Sequence, residues 1–159
     1  MNFLIILSIG MTLSVFGNAD QISTTGVWVS WNGSKVGVPA NAVVGGFDQD
    51  GPYYVARAVH NDRGTVVGKY SPRSNYAHYP YYNEEHRASS FELLTHSNYV
   101  WVSKTDPRPL ISGGNAQYMY NAWYGDFKIP GKFHIDSCWI PYGGKEHQYK
   151  YNFNVLKRA

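Results

Sequence analysis

Val27-Trp-Val-Ser30 recurs 73 residues later as Val100-Trp-Val-Ser103, and this pair opens a series of matched segments along the 159-residue chain. The later pairs keep the same order, while their separation falls from 68 to about 61 residues. Loop deletions in a second copy produce such a drift, so the sequence predicts a tandem duplication over about 28–95 and 100–157. Among the later pairs are Gly45-Gly46 with Gly113-Gly114, Gly68-Lys69-Tyr70 with Gly131-Lys132-Phe133, and Phe91-Glu-Leu-Leu94 with Phe153-Asn-Val-Leu156.

Each copy consists of short runs of β-branched and aromatic residues broken by Gly, Pro, Asn and Asp, without the apolar stripe of a helix. This pattern predicts an all-β fold with strands at 27–31 and 53–59. Turn residues lie at 49–52 and 61–64. Polar and aromatic or apolar residues alternate from His147 to Leu156, which predicts one terminal strand. Its predicted inner face carries Tyr149, Tyr151, Phe153 and Val155.

Composition and the first residues indicate a secreted globular protein. Hydrophobic residues make up 43% of the chain and charged residues 16%, which excludes a disordered protein. The formal net charge of +3 is too small to hold a polyanion, so no nucleic-acid partner is expected. An apolar run at 3–16 followed by Gly17-Asn-Ala19 predicts a signal peptide at 1–19 and a secreted product that starts near Asp20. An uncleaved anchor is the alternative, and no other membrane insertion is expected.

Two residues bear on assembly and modification. Cys138 is the only cysteine, so no internal disulfide can form. It is expected to be a small buried side chain, and an intermolecular bridge that gives a homodimer is the alternative. Asn32-Gly33-Ser34 is an N-glycosylation sequon, and we predict that Asn32 lies in an exposed hairpin turn.

Three motifs carry a resemblance to a known family. They are Val38-Pro-Ala-Asn-Ala-Val-Val-Gly-Gly-Phe-Asp48, Tyr54-Val-Ala-Arg-Ala58 and Ile140-Pro-Tyr-Gly-Gly-Lys-Glu-His147. With them, nearly the whole mature chain closely resembles the DM-nine (DM9) repeat family. The resemblance implies two tandem antiparallel β repeats, at 20–97 and 98–159, related by a pseudo-twofold axis within one compact domain. The best understood members are mannose-binding lectins of invertebrate innate immunity, and similar repeats form the lectin-like part of natterin-type toxins.

The resemblance also implies where a sugar binds. Family lectins hold mannose with an aspartate that follows a Gly-aromatic step and with the lysine of a Pro-Gly-Lys turn. These correspond here to Asp48 and to Lys69, although valine replaces the proline before Gly68. Lys132 keeps the full Pro-Gly-Lys setting in the second copy, but the loop that would hold an aspartate is shorter there, and Asn115 is the nearest candidate.

The chemistry of these residues suits a neutral sugar. A carboxylate accepts hydrogen bonds from adjacent hydroxyls and an ammonium donates to a sugar oxygen, and such charge-assisted bonds are about twice as strong as neutral ones. The alternatives are an Asx turn for Asp48 and a solvated hairpin position for Lys69. The candidate rings for the C–H face of the sugar are Phe47, Tyr53 and Tyr70.

Catalysis and metal binding are not expected. Gly143-Gly-Lys-Glu-His147 contains three proton carriers, but we interpret the segment as structural, with Glu146 pairing locally and His147 bonding a backbone carbonyl. A general acid-base role requires such residues to face a pocket. The histidines and the cysteine lack metal-ligand spacing, and Asp48-Gln-Asp-Gly51 has its glycine too early for a calcium loop. We therefore expect no enzyme, no metal and no cofactor.

The main hypothesis is a secreted mannose-type lectin that recognises glycans in innate immunity, with Asp48, Lys69 and Lys132 as its sugar-binding residues. The alternative is an extracellular protein-interaction or structural module whose sugar sites have decayed. The altered second copy and the sequon at Asn32 favour that alternative.

Overall fold

Fifteen β-strands form the fold in a computed structural model that describes residues 23–61, 64–96, 98–115 and 117–159. No helix occurs in those ranges, so the all-β prediction is confirmed. The predicted signal peptide, residues 1–19, lies outside them. The strands are β1 Ser23–Thr25, β2 Val27–Asn32, β3 Val44–Asp48, β4 Gly51–Val59, β5 Thr65–Tyr70, β6 Ala77–Tyr81, β7 Glu84–Ala88, β8 Ser90–Thr95, β9 Tyr99–Val102, β10 Leu110–Gly114, β11 Gln117–Tyr124, β12 Phe127–His134, β13 Ser137–Tyr142, β14 Lys145–Tyr149 and β15 Phe153–Arg158.

The strands form one sheet in which two antiparallel meanders lie next to each other. The first meander is β4-β5-β6-β7 and the second is β11-β12-β13-β14, and they meet where Lys145 of β14 pairs with Glu84 of β7. β8 joins β4 to β2, and β15 joins β11 to β9 in the same way. These matched pairings are compatible with the pseudo-twofold axis, while the repeat boundary near residue 97 stays a prediction.

The two halves are interlocked through β3. This strand pairs with β4 of its own half, and Phe47 also pairs with Lys128 of β12. A Cβ atom at Gly46 would lie 1.9 Å from the carbonyl oxygen of Lys128, so this close approach of two backbones requires glycine. The Gly-Gly step before Phe47 is therefore explained by contact between the halves.

A shared apolar core lies between the halves. Val55 and Val67 of the first half pack in one cluster with Ile111 and Met119 of the second, and all four side chains are fully buried. Burial of each such side chain stabilises the fold by about 1.5–3 kcal/mol. Separating the halves would therefore expose a central part of the core.

Cys138 lies in a separate apolar cluster, with Tyr120, Ile140 and Val155. Its side chain has no exposed surface, and burial raises the pKa of its thiol. This agrees with the expectation of a small buried side chain. An intermolecular disulfide at this position would require the core to open, so a homodimer linked through Cys138 is not supported.

The predicted terminal strand is wrong. β14 ends at Tyr149 and β15 begins at Phe153, and Asn152 between them has a φ of 59°. Asparagine tolerates this left-handed conformation better than most residues, and it breaks the strand although the alternation of residue types continues. Tyr151 is consequently 79% exposed and does not share the inner face with Val155, which is fully buried.

The predicted hairpin at the sequon is also wrong. Asn32 ends β2, but β2 pairs with β8, and the next strand, β3, pairs with β4 and β12. The segment after Asn32 is a turn in a longer connection. Asn32 Oδ1 accepts hydrogen bonds from the Ser34 backbone N–H at 3.1 Å and from the Ser34 hydroxyl at 2.5 Å.

Ile135 provides a test of the turn between β12 and β13. It has a φ of 60° and is 85% exposed, so a β-branched residue occupies a left-handed position without any burial to compensate. Ile135→Asn is expected to raise the free energy of unfolding by about 1 kcal/mol, because asparagine adopts this conformation at less cost. Urea unfolding measures the gain. Val36→Asn, at a position that is 99% exposed, is the control, and an equal gain there would contradict the explanation.

Candidate functional site

Asp48 and Lys69 line one shallow hollow of about 280 Å³, which we call the Asp48 hollow. Asp48 ends β3, and Lys69 lies near the end of β5. Tyr142 and Gly143 of the second half complete the lining, and the other lining residues come from the first half. The two predicted sugar-binding residues are therefore brought together, at a place where both halves contribute.

The Asp48 carboxylate already accepts three hydrogen bonds. The Asp50 backbone N–H donates to Oδ1 at 2.9 Å, Arg73 Nη2 donates to Oδ1 at 3.0 Å, and the Tyr53 hydroxyl donates to Oδ2 at 2.5 Å. The bond from Asp50 is the Asx turn that we considered as an alternative. Each carboxylate oxygen has two lone pairs, so at most one, on Oδ2, remains for a ligand.

These contacts determine the charge of Asp48. Burial would raise the pKa of the carboxyl, but the hydrogen bonds from the Tyr53 hydroxyl and the Asp50 N–H, together with the charge of Arg73, hold the pKa below its usual 3.8. Burial and the hydrogen bond to Asp48 in turn raise the pKa of Tyr53. At neutral pH the hollow therefore holds an ionised carboxylate and a neutral phenol.

Lys69 is a buried residue, which rules out the solvated hairpin position. It is 3% exposed, and its Nζ donates to the Pro141 carbonyl oxygen at 2.6 Å and pairs with Glu85 Oε1 at 3.2 Å. The rings of Tyr53 and Tyr142 each lie 4.7 Å from Nζ, within cation–π distance. Burial lowers the pKa of Lys69, and the carboxylate of Glu85 opposes that shift. Among the described residues Pro141 and Glu85 are its two hydrogen-bonding partners, which leaves one of the three N–H groups of the ammonium for a ligand.

Lys132 lies in a separate hollow of about 430 Å³, which we call the Lys132 hollow. It is 6% exposed, and its Nζ donates to the Pro80 carbonyl oxygen at 2.7 Å and pairs with Glu146 Oε1 at 3.2 Å. Burial lowers its pKa, and Glu146 opposes the shift. Asn115, the nearest candidate for the missing aspartate, lines the same hollow.

Sequence reasoning did not select Glu85, and it gave Glu146 a local partner. Glu85 Oε2 accepts the Gly144 N–H at 2.8 Å, and Glu146 Oε2 accepts the Asn83 N–H at 2.8 Å, so each glutamate ties its lysine to a turn of the other half. Glu146 therefore does not pair locally. The available signal was the Glu-His pair at 85–86 and 146–147, which recurs in both copies.

The histidine of the same block has the structural role that we expected. His147 Nε2 donates to the Tyr142 carbonyl oxygen at 2.9 Å. His86 forms the same bond with the Tyr81 carbonyl oxygen at 3.0 Å. Both bonds close turns that border the hollows.

Only one of the three candidate rings lines the Asp48 hollow. Tyr53 does so, whereas Tyr70 is completely buried in the core. Phe47 is 43% exposed and packs edge-on against Trp123, with their ring centres 5.9 Å apart, outside the hollow. Tyr142, which no sequence argument selected, is the second ring beside Lys69.

Arg73 was missed because nothing in its sequence context marks it. Besides Asp48, it donates through Nη1 to the Asp50 carbonyl oxygen at 2.7 Å. With it the hollow has three carboxylates, those of Asp48, Asp50 and Glu85, against the two cations of Lys69 and Arg73. This near balance suits an uncharged ligand that carries hydroxyl groups.

The described residues contain no group of three or more His, Cys, Asp or Glu side chains placed to hold a metal ion. Nor does the described part of the chain have a helix long and apolar enough to cross a bilayer.

Comparison with known proteins identifies the repeat. Residues 48–117 match the family model of the DM9 repeat, a range that includes Asp48 and Lys69, and this confirms the resemblance. Among solved structures, the nematode sperm cell motility protein MFP2B is similar, with a TM-score of 0.64 and 14% sequence identity. The similarity covers 92% of this chain and 50% of MFP2B, so the chain spans half the length of that protein, and at this identity the likeness concerns the fold alone. No curated protein matches the chain.

Proposed function

We propose, for a chain that carries a DM9 repeat, that the Asp48 hollow binds a neutral hexose of the mannose type and that the protein is a secreted, non-enzymatic lectin. The observation that carries this proposal is the convergence of Asp48 and Lys69 on one hollow. In the proposed role the protein recognises microbial or host glycans in innate immunity.

In the proposed binding mode, Asp48 Oδ2 accepts a hydrogen bond from one sugar hydroxyl and the remaining N–H of Lys69 donates to a neighbouring oxygen. The bonds that Asp48 and Lys69 make to the protein hold both groups in place before the sugar arrives, which lowers the entropy cost of binding. The rings of Tyr53 and Tyr142 offer apolar surface to the C–H groups of the sugar.

A site with two charge-assisted bonds to one monosaccharide is weak. A second hollow on the same chain increases the affinity for a multivalent glycan, by roughly 10²–10⁴-fold in favourable geometry. In the proposed lectin Lys132 serves this second hollow, so a glycan that offers a suitable sugar to each hollow gains avidity without a homodimer.

Affinity chromatography tests the proposal directly. Folded protein is applied to mannose-agarose and eluted with free mannose, and galactose serves as the control sugar. The proposal is supported if free mannose elutes the bound protein at a lower concentration than free galactose does. Folded protein that passes through the column and gives no signal on a glycan array contradicts it.

The proposal predicts the acid limit of binding. Asp48 has a pKa below 3.8, so its carboxylate stays charged as the pH falls to that value. A group with a lowered pKa contributes above its ordinary pKa and loses its contribution as the pH falls through the lowered value. Retention on mannose-agarose is therefore expected to be constant from pH 7 to about pH 4.5 and to fall only below pH 3.8. Loss of binding between pH 5 and 7, with the fold intact by circular dichroism, would contradict Asp48 as the acceptor.

Asn32 is the proposed glycosylation site. It does not line the Asp48 hollow or the Lys132 hollow, so a glycan on its side chain would leave both accessible. Its half-buried side chain and its bonds to Ser34 favour attachment before the turn has folded. Mass spectrometry of secreted protein before and after glycosidase treatment measures occupancy.

The alternative function is an extracellular protein-interaction or structural module. It is favoured by the three bonds that Asp48 makes within the protein and by the two that Lys69 makes, which stabilise the fold without any ligand. An array on which well-folded protein binds no glycan would support this alternative.

A further inference from the structure

The two hollows have the same framework. Lys69 is the second-last residue of β5, and Lys132 is the third-last residue of β12. Each lysine donates to a proline carbonyl of the other half and pairs with a glutamate at 3.2 Å. A tyrosine of the other half lies beside each ammonium, Tyr142 at 4.7 Å and Tyr81 at 5.2 Å. Differences between the hollows therefore come from the side chains around this framework.

At two equivalent positions the Lys132 hollow has a larger aromatic side chain than the Asp48 hollow. The residue that pairs with the lysine across the ladder is His78 in the first meander and Trp139 in the second. The first residue of the two-residue turn that borders the hollow is Gly143 in the Asp48 hollow and Tyr82 in the Lys132 hollow. His134 also lines the Lys132 hollow, two residues after its lysine. Aromatic walls thus replace small or polar groups.

The charged groups differ as well. Each hollow has an ion pair between its lysine and a glutamate. The Lys132 hollow has the side-chain amides of Asn115 and Gln117, whereas the Asp48 hollow has the charged groups of Asp48 and Arg73. Gln117 uses its Oε1 to accept the Val67 N–H at 3.1 Å, so among the described residues its NH₂ group is left to donate. Asn115 supplies an amide oxygen that accepts. The volume is about 430 Å³ against about 280 Å³.

We propose that the Lys132 hollow binds a hexose that carries an N-acetyl group, a different sugar class from that of the Asp48 hollow. An acetamido group presents one N–H donor, one carbonyl acceptor and an apolar methyl group. The amides of Asn115 and Gln117 match the donor and the acceptor, and the rings of Tyr82 and Trp139 cover the methyl group. This inference rests on the proposed function, because it takes from it that the hollows of this fold bind sugars.

The test is a titration of the full chain, labelled with ¹⁵N, by N-acetylglucosamine and separately by mannose. Of the five tryptophan indole N–H signals, that of Trp139 is assigned with Trp139→Phe. We expect N-acetylglucosamine to shift this signal and mannose to leave it in place. Asp48→Asn is expected to leave the N-acetylglucosamine titration unchanged.

Tyr82→Gly removes the aromatic wall at low risk to the fold. Tyr82 has a φ of 46° and is 72% exposed, so glycine, the residue at the equivalent position 143, relieves backbone strain there. The substitution is expected to weaken binding of N-acetylglucosamine about fivefold and to leave retention on mannose-agarose unchanged. Tyr151→Gly, at a position that is 79% exposed and outside both hollows, is the matched control.

The outcomes separate this inference from the proposed function. An unmoved Trp139 signal at high N-acetylglucosamine, or a titration that Tyr82→Gly does not weaken, overturns the inference, while mannose retention leaves the proposed function standing. Binding of N-acetylglucosamine without binding of mannose supports the inference and contradicts the mannose site at Asp48. Binding of neither sugar overturns both.

Discussion

Retention on mannose-agarose is expected to disappear when Asp48 is replaced by alanine and to fall at least tenfold when it is replaced by asparagine. Hydrogen bonds to a charged group contribute about 1.5–3 kcal/mol, and 1.4 kcal/mol corresponds to a factor of ten in affinity. Asparagine keeps the shape of the side chain but removes the charge that receives the sugar hydroxyl. Because the wild-type affinity for a monosaccharide is already weak, this loss lowers it below the level at which a column retains the protein.

Asp126→Asn is the matched control, because Asp126 is an exposed carboxylate in the turn between β11 and β12 and lines neither hollow. Circular dichroism and thermal unfolding of each variant test whether the fold survives when Tyr53 and Arg73 lose their partner. Folded Asp48→Ala protein that mannose-agarose retains as well as the wild type would refute the assigned site.

Lys69→Met and Glu85→Gln are each expected to destabilise the protein by about 3–5 kcal/mol. The side chains are 4% and 12% exposed, so removal of either charge leaves the other buried without a partner. The double variant Lys69→Met/Glu85→Gln is expected to recover most of this loss, because it leaves no charge uncompensated. Urea unfolding of the four proteins gives the coupling energy between the two residues.

Glu92→Gln is the control for a more exposed ion pair. Glu92 pairs with Arg57 at 2.6 Å, but its side chain is 36% exposed, so its substitution is expected to cost less than about 1 kcal/mol. Single variants at Lys69 and Glu85 with equally small effects, and with effects that add in the double variant, would show that the buried pair is not coupled.

Local chemistry was sufficient to predict two strands and one turn of the first half. The predicted strands at 27–31 and 53–59 lie within β2 and β4. Residues 49 and 50 of the predicted turn connect β3 to β4, whereas Gly51 and Pro52 already belong to β4. The predicted turn at 61–64 lies partly outside the described residues. Alternation of residue types and turn-forming residues act within a few positions, so a single sequence displays them. At the C-terminus the same alternation gave a wrong prediction of one continuous strand, because the φ of a single residue, Asn152, decides whether the strand continues.

The sequence predicted which residues form the candidate site but not the environment of those residues. Asp48 and Lys69 were found through family motifs, whereas the burial of Lys69 and its bonds to Pro141 and Glu85 were not foreseen. A glycine-lysine step has the same letters whether the lysine is solvated or buried. Contact with Pro141 depends on the packing of one meander against the other, across 72 residues of sequence, and no local pattern encodes that packing.

Pro80 and Pro141 each accept a bond from the lysine that belongs to the opposite half. An ancestral polypeptide with a single copy of this unit would have had no carbonyl to receive its own buried ammonium. If the tandem duplication predicted from the sequence is correct, such a polypeptide would have needed an identical copy in the reciprocal arrangement, that is, a symmetric dimer. In a single polypeptide with two copies, each copy is free to change its rings and charges separately, and the matched positions 143 and 82 now hold glycine and tyrosine.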